Sequence, residues 1–324
     1  MLLTALKAVA ESTRLTIVAV LGKGELSVND LAHVLGQSQP RVSRHLRLLV
    51  EAGVLERHQE GAHALYGLAR AGTSATLVHQ ILPLVDETEA DLANALVRLV
   101  RLRAQRDREA AAYFERVATD WDEFRDRMVG ENIVEASIVK RLNTRTTHDL
   151  LDLGTGTGRM LEVAAPYTQH GLGVDLSTEM LRIARAKLQS VGLNHCHVRK
   201  GDVNALNLPA GSADVAILHH VLHYLDHPAI AVAEAARTLR PGGQLIVVDF
   251  APHNAAVLCT QYAHRRMGFS QQEMCEWLEA ARLEDIQIEN LQGTNDVVDD
   301  GLTISVWCAT QQQSTPSYHR LGVA

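Results

Sequence analysis

From Leu2 to Leu21 apolar residues recur at helical spacing, with Leu6, Val9, Leu15, Val18 and Leu21 on or near one stripe; this predicts one amphipathic helix, stopped by Gly22 and Gly24. Ser27 then caps a short helix over Asn29 to Leu35, which Gly36 ends. Pro40 opens a third helix, running through Arg41-Val-Ser-Arg-His-Leu to Ala52 and closed by Gly53, because a first-turn proline lacks only an N–H that has no partner there anyway. From Val54 to Leu68 the pattern turns strand-like and predicts a β-hairpin reversing at Glu60-Gly61. Between Ser74 and Phe124 the helical pattern is almost unbroken, carried by Leu77, Ile81, Leu84, Leu92, Leu96 and Leu99, with a kink expected at Pro83. Within it, 101–109 reads as a solvated spacer, and Phe114, Val117 and Trp121 share one face.

Beyond this point strands and helices alternate. Strands are predicted near 148–153, 171–175, 195–200, 214–219, 243–249, 284–290 and 302–309, and helices near 158–168, 178–191, 228–239 and 271–282. Such alternation implies a doubly wound, largely parallel sheet with ligands at the carboxyl ends of its strands. Polar groups fall at those ends: Asp152 on the first strand, Asp175 on the second, Gly201-Asp202 on the third and His219-His220 on the fourth. Between the first strand and its helix lies Asp152-Leu-Gly-Thr-Gly-Thr-Gly158, and Asp175 follows Gly158 by seventeen residues. Glycines there let the backbone turn tightly and approach a ligand, while the acid can grip both hydroxyls of a ribose, so the layout is one for a nucleotide-like ligand. Dinucleotide and S-adenosylmethionine binding both fit it; the GxGxG spacing, rather than GxGxxG opening the helix, favours the second.

In the first part, two helices joined by a glycine-containing turn form a helix-turn-helix whose second helix suits a major groove. Val42, Leu46, Leu49 and Val50 face inward, whereas Ser38, Gln39, Arg41, Ser43, Arg44 and Arg47 remain outside as donors for phosphates and base edges. The hairpin would be a wing that brings Arg57 and His63 to the duplex.

Charge sharpens this division. The chain carries a net charge of −7, yet residues 1–70 hold eight Lys/Arg against six Asp/Glu, so contact with nucleic acid belongs at the front. No apolar run approaches the roughly 18 residues of a membrane span. The four cysteines, Cys196, Cys259, Cys275 and Cys308, lack CxxC spacing, which argues against a disulfide frame and for a cytoplasmic setting.

Residues 10–68 resemble winged-helix repressors of the arsenic-repressor (ArsR/SmtB) family, on Glu-Ser-Thr-Arg-Leu at 11–15, Gly-Gln-Ser-Gln-Pro-Arg-Val-Ser-Arg-His-Leu at 36–46 and Ala-Gly-Val-Leu at 52–55. The resemblance implies a homodimer on a palindromic operator, released by an effector. Metal-sensing members carry Glu-Leu-Cys-x-Cys-Asp-Leu before the recognition helix; this chain has Glu25-Leu-Ser-Val-Asn-Asp-Leu31, without the thiolates soft metals require. His79 lacks a second histidine nearby and reads as structural, so no metal is expected at either family site.

Residues 110–310 are similar to class I S-adenosylmethionine-dependent methyltransferases. The motifs are the glycine loop, Gly173-Val-Asp-Leu-Ser-Thr-Glu-Met180, Gly201-Asp202 and Leu239-Arg-Pro-Gly-Gly-Gln-Leu245, in order. This similarity implies seven strands ending in an antiparallel hairpin. It assigns Gly154, Gly156 and Gly158 to the methionine moiety, Asp152 to its ammonium, Asp175 to the ribose hydroxyls, and Met180 and Asp202 to the adenine. Leu176, Val203, His219 and Tyr113 complete the expected cofactor contacts, Tyr113 as part of a lid. His219, His220 and His223 face the expected acceptor pocket, where one could take a proton or all could merely line the wall. Arsenic methylation is disfavoured, since its converging thiolates are missing: no cysteine precedes Cys196.

The expected architecture is α/β: a winged helix-turn-helix domain over 1–72, dimerisation and connector helices with a cofactor lid over 73–124, a Rossmann-like methyltransferase domain over 125–310, and a disordered tail over 311–324. The expected function is a dimeric, DNA-binding transcription regulator whose methyltransferase-type domain senses S-adenosylmethionine or S-adenosylhomocysteine, or methylates a small-molecule acceptor. The alternative is an active small-molecule methyltransferase that the winged helix only autoregulates or targets.

Overall fold

A computed structural model describes residues 2–60, 63–69, 72–118, 121, 131–144, 147–292 and 302–313. It divides into two compact units, one formed by Met1–Ala112 with His253–Met267, the other by Tyr113–Pro252 with Gly268–Ala324.

The first unit begins with two helices rather than the single one expected, α1 (Leu2–Val9) and α2 (Ser12–Leu21). Glu11 makes the break: its backbone is extended and its carboxylate accepts the amides of Thr13 and Arg14, which restarts the helix two residues after α1 ends. β1 (Leu26–Ser27) leads into α3 (Val28–Leu35), where Ser27 and Asp30 form a reciprocal capping box and Gly36 closes the helix at φ +64°. α4 (Gln39–Glu51) follows, then β2 (Leu55–Glu60) and β3 (His63–Leu68). These strands pair antiparallel, with β3 between β1 and β2. The expected reversal at Gly61 and the tail from residue 314 lie outside the described residues, as does the lid helix beyond Trp121.

At Pro83 the helical pattern breaks rather than kinks. α5 (Thr73–Ile81) gives way to a 3-10 turn over Leu82–Leu84, and α6 (Ala90–Val117) begins six residues later. Leu92, Ala95 and Leu99 of α6 are buried in one core with Ile17, Leu31, Val34, Val42, Leu46 and Leu49. The stretch expected to be a spacer is in part an anchor. Arg103 bonds the Lys23 carbonyl at 2.7 Å, Arg106 meets Asp30 at 2.6 Å, and one turn earlier Arg98 bonds the Val34 carbonyl at 2.6 Å. Arginine stems cover apolar surface while their guanidinium groups bond helix ends, so a charge-rich sequence can still dock.

In the second unit the strands are β4 (Thr147–Leu153), β5 (Thr168–Asp175), β6 (Cys196–Lys200), β7 (Ala213–His219), β8 (Leu239–Phe250), β9 (Leu283–Gln292) and β10 (Thr303–Gln311). They form one sheet in the order β6-β5-β4-β7-β8-β10-β9, parallel from β6 to β8, with β10 antiparallel to both neighbours. The helices α7 (Glu131–Leu142), α8 (Arg159–Ala164), α9 (Thr178–Ser190), α10 (Pro228–Thr238) and α12 (Gln271–Ala280) accompany it; α7 had no expectation in the sequence. Strand order reverses at β4, which places a crevice beyond its carboxyl end. A further helix, α11 (Ala256–Gln261), lies in the segment after β8 that belongs to the first unit, where Arg266 pairs with Glu25 at 3.2 Å.

Leu46 has no exposed surface and holds α4 to the core of the first unit. Leu46→Ala should cost about 3 kcal/mol, within the usual range for a buried leucine. A urea titration followed by circular dichroism checks this; a loss below about 1 kcal/mol would place Leu46 outside the load-carrying core.

Candidate functional site

The glycine loop is shaped by β5. Val174 offers one carbonyl to two amides, those of Gly154 at 2.7 Å and Thr155 at 3.0 Å, which folds the chain back over the end of β4. Gly154 takes φ +74°, and a side chain there would put Cβ 2.2 Å from Cγ2 of Val221. Gly156 and Gly158 lie at +52° and +84°, with Gly158 opening α8. The loop's requirement for glycine is thus conformational at all three positions and steric at the first.

Two carboxylates frame this loop. Asp152, 1% exposed, accepts the Thr155 hydroxyl at 2.6 Å. Asp175 accepts the amide of Gly156 at 2.9 Å and that of Ser177 at 2.8 Å, so the residue ending β5 also fixes the middle of the loop. Burial pushes the Asp175 carboxyl above its ordinary range, and the amides of Ser177, Gly156 and Leu176 oppose that shift. Leu176 beside it is 56% exposed, an apolar surface at the mouth of the crevice. Met180 and Val203 are both buried, at the start of α9 and after β6. Asp202 accepts the backbone and side-chain nitrogens of Asn204, while the Gly201 amide donates to the Asp175 carbonyl.

Across β4, β7 ends at His219. His220 follows with φ +53°, uncommon for a residue with a side chain, and its amide donates to the Val248 carbonyl at 2.8 Å. His223 sits on the 3-10 turn over Leu222–Tyr224, and its Nδ1 lies 2.7 Å from Oδ1 of Asp249 near the end of β8. Both side chains are essentially inaccessible. Burial raises the Asp249 carboxyl to about 6, while His220 and the amides of Phe250, His223 and Leu222 pull it down. Sequence reasoning missed Asp249. The signal was available, since it stands at a strand end as Asp152 and Asp175 do.

An aromatic belt joins the loop to these imidazoles. Phe114 packs edge-on against Tyr113, Trp121 and Tyr224 at 4.8–5.5 Å, and Tyr224 lies 4.0 Å from the His223 ring. Nε1 of Trp121 is 3.6 Å from where a Cβ on Gly156 would stand. Tyr113, the expected lid contact, is buried within this belt, and Trp121 is the aromatic residue beside the loop.

On the first unit, Val42, Leu46 and Leu49 of α4 are buried and Val50 packs against them, while Ser38, Gln39, Arg41, Ser43, Arg44 and Arg47 are exposed together. Arg57 on β2 is exposed too; the side chain of His63 lies outside the described residues. Lys/Arg side chains with short polar neighbours on one open helix face form a surface for phosphates and base edges.

Residues 11–57 match the family model described as "Bacterial regulatory protein, arsR family", and residues 151–247 match that described as "Methyltransferase domain". The chain joins an ArsR-family helix-turn-helix to a methyltransferase domain. It is 30% identical over 135 residues to the uncharacterized methyltransferase YcgJ of Bacillus subtilis, covering 40% of this chain and 53% of that one. To the ubiquinone/menaquinone biosynthesis C-methyltransferase UbiE of Saccharophagus degradans it is 28% identical over 158 residues, 46% of this chain and 63% of the relative. The chain therefore spans less than two thirds of the length of either relative. A chain of the complex between the Haloferax volcanii Trm112 methyltransferase activator and the putative methyltransferase shares the fold at TM-score 0.50 and 20% identity, over 62% of this chain and 98% of that one. Among the described residues no helix is long and apolar enough to cross a membrane.

The fit of the glycine loop against Val221 makes a direct prediction. Gly154→Ala should destabilise the methyltransferase domain by about 2–4 kcal/mol, from left-handed strain and overpacking together. Adding Val221→Ala should recover the overpacking part. Thermal unfolding of both variants checks this; no recovery would mean that strain alone demands the glycine.

Proposed function

We propose that the chain is a homodimeric, DNA-binding transcription regulator whose methyltransferase domain binds S-adenosylmethionine or S-adenosylhomocysteine and adjusts operator affinity. The observation that carries the ligand reading is the double use of Asp175, which holds the Gly156 amide and still lines the crevice with lone pairs for hydroxyls. The site fits such a ligand in other respects as well. Its cradle exists only where Cβ atoms are missing, Asp152 supplies a buried carboxylate for an ammonium, and Leu176 offers an exposed apolar face to a base.

In this reading Gly154, Gly156, Gly158 and Asp152 hold the amino-acid moiety, Asp175 the ribose, and Asp202, Val203 and Met180 the adenine. His219 and the belt of Tyr113 and Trp121 close the cofactor side of the acceptor wall. The bound methyl donor supplies an electrophilic methyl group, and the protein supplies alignment and exclusion of water. DNA binding is assigned to Ser38, Gln39, Arg41, Ser43, Arg44, Arg47, Arg57 and His63. Exposed apolar residues on α1 (Leu2, Leu3, Leu6) and α6 (Val97, Val100) support dimerisation through those helices.

A second reading, an active small-molecule methyltransferase with an autoregulating winged helix, is favoured by the intact His223–Asp249 pair. A carboxylate that orients an imidazole is how a proton acceptor is held, and His219, His220 and His223 are its candidates.

The two readings separate in a titration. A duplex selected by the purified chain from a random pool is bound at fixed salt with increasing S-adenosylmethionine or S-adenosylhomocysteine. The sensor reading expects at least about a fivefold shift with one of them, the low end of allosteric coupling; no shift with either rejects it. Asp175→Ala should weaken binding of both ligands by about tenfold or more, as expected when a buried hydrogen-bonded pair loses one member. Wild-type affinity in calorimetry would remove Asp175 from the site. Arg44→Ala with Arg47→Ala should abolish duplex binding while leaving ligand affinity unchanged, and retained duplex binding would move the DNA surface elsewhere.

A further inference from the structure

His220, His223 and Asp249 bring two imidazoles and one carboxylate together, each offering a ligand atom within 4.8 Å of the others. They are 6%, 1% and 0% exposed. We propose that these three side chains form a binding site for a divalent first-row transition cation of the manganese-to-zinc series. Neither family resemblance supplies this site: the ArsR-type metal positions are Ser27 and Asn29 in this chain, on the other unit.

The donor chemistry selects the cation. Two nitrogens and one oxygen are too few oxygens for magnesium or calcium, and no thiolate is present to favour a soft ion. Two histidines with one carboxylate also leave coordination positions for water or another ligand.

Backbone contacts hold the ligands near one another, and closing on an ion at ordinary metal–ligand distances takes a small further approach. Asp249 stands in β8; its carboxylate accepts the Phe250 amide at 2.8 Å and the His223 amide at 3.4 Å and lies 2.7 Å from His223 Nδ1, so backbone and the neighbouring ring together set its orientation. His220 is tied to the same strand by its amide bond to Val248 and keeps a left-handed backbone there. Such a conformation is strained for a residue with a side chain and persists where the surroundings over-determine it. The Phe250 ring lies 4.9 Å from His220 and 5.1 Å from His223, giving the two imidazoles an apolar backing that strengthens charge–ligand attraction.

The test uses the full, untagged chain, stripped with a chelator and titrated with Co(II) while the visible d–d absorption is followed. One equivalent should bind per chain, yield to Zn(II) and resist excess Mg(II). His220→Gln and Asp249→Asn should each weaken Co(II) binding by about 100-fold or more, since losing even an outer-shell partner costs 10–100-fold. A wild-type chain without d–d bands overturns the site, as do bands retained by both variants. Should a variant fail to fold, proton NMR of the cobalt-loaded wild-type chain decides. Hyperfine-shifted signals from two imidazoles support the assignment; none, or a different number, overturns it. Affinity for S-adenosylhomocysteine, measured on the same stripped chain, reports separately on the methyl-donor reading.

Discussion

At the carboxyl edge of the large sheet, the Val174 carbonyl takes two amides from the loop that follows β4. A parallel strand cannot reverse by hairpin, so its chain must leave the sheet and climb toward a helix. Here the departure is captured at once, and the captured loop is short enough that the next acid on β5, Asp175, reaches the Gly156 amide. The pairing of Asp152 with Gly173 sets that reach. A side chain at Gly173 would strike the Thr155 hydroxyl, whose bond to Asp152 orients the first carboxylate. Loop, acids and crevice are therefore consequences of one strand register, and a slip by one residue would turn each side chain to the other face.

The winged-helix unit depends on a different economy. Its recognition helix is amphipathic, with an open basic face, so stability must come from the opposite stripe and from neighbours that cover it. Leu92, Ala95 and Leu99 of α6 join that core, and three arginines of the same helix bond the carbonyls of Lys23 and Val34 and the carboxylate of Asp30. The helix is consequently built into the winged-helix unit along four of its turns, well past the stretch that periodicity alone assigns to packing.

What could be read from the chain follows from how local each signal is. Capping at Ser27, the helix stop at Gly36, the strand alternation and the acids at strand ends are short-range features, and each appears where expected. Signals that depend on long-range partners did not register. Glu11 breaks the first helix because its carboxylate captures two amides, an outcome the leucine spacing does not encode. Arg103 and Arg106 look solvated until Lys23 and Asp30 are placed opposite them. The 253–267 segment carries no compositional mark separating it from the sheet strands on either side, yet it belongs to the first unit. Asp249 stood at a strand end like the other acids, but its pairing with His223, which sits on a 3-10 turn, exists only once β7 and β8 are adjacent.

The two buried acids of the crevice also explain why the motif residues alone cannot define a switch. Asp175 accepts backbone amides and Asp152 a threonine hydroxyl; in the proposed reading the first takes ribose hydroxyls and the second an ammonium. S-adenosylmethionine and S-adenosylhomocysteine carry those hydroxyls, that ammonium and the same base, so in this reading these residues do not tell the two ligands apart. A ligand that binds two states equally shifts neither, however tightly it is held. Discrimination has to come from groups facing the sulfur, where one ligand is a cation and the other neutral. The aromatic rings of Phe114, Trp121 and Tyr224, running from the glycine loop to His223, are of the type that favours a cation over a neutral thioether, by about 0.5–2 kcal/mol for a well-placed ring. That is enough for a severalfold preference between the two ligands, whereas a switch requires that one ligand bind two states of the protein with different affinity.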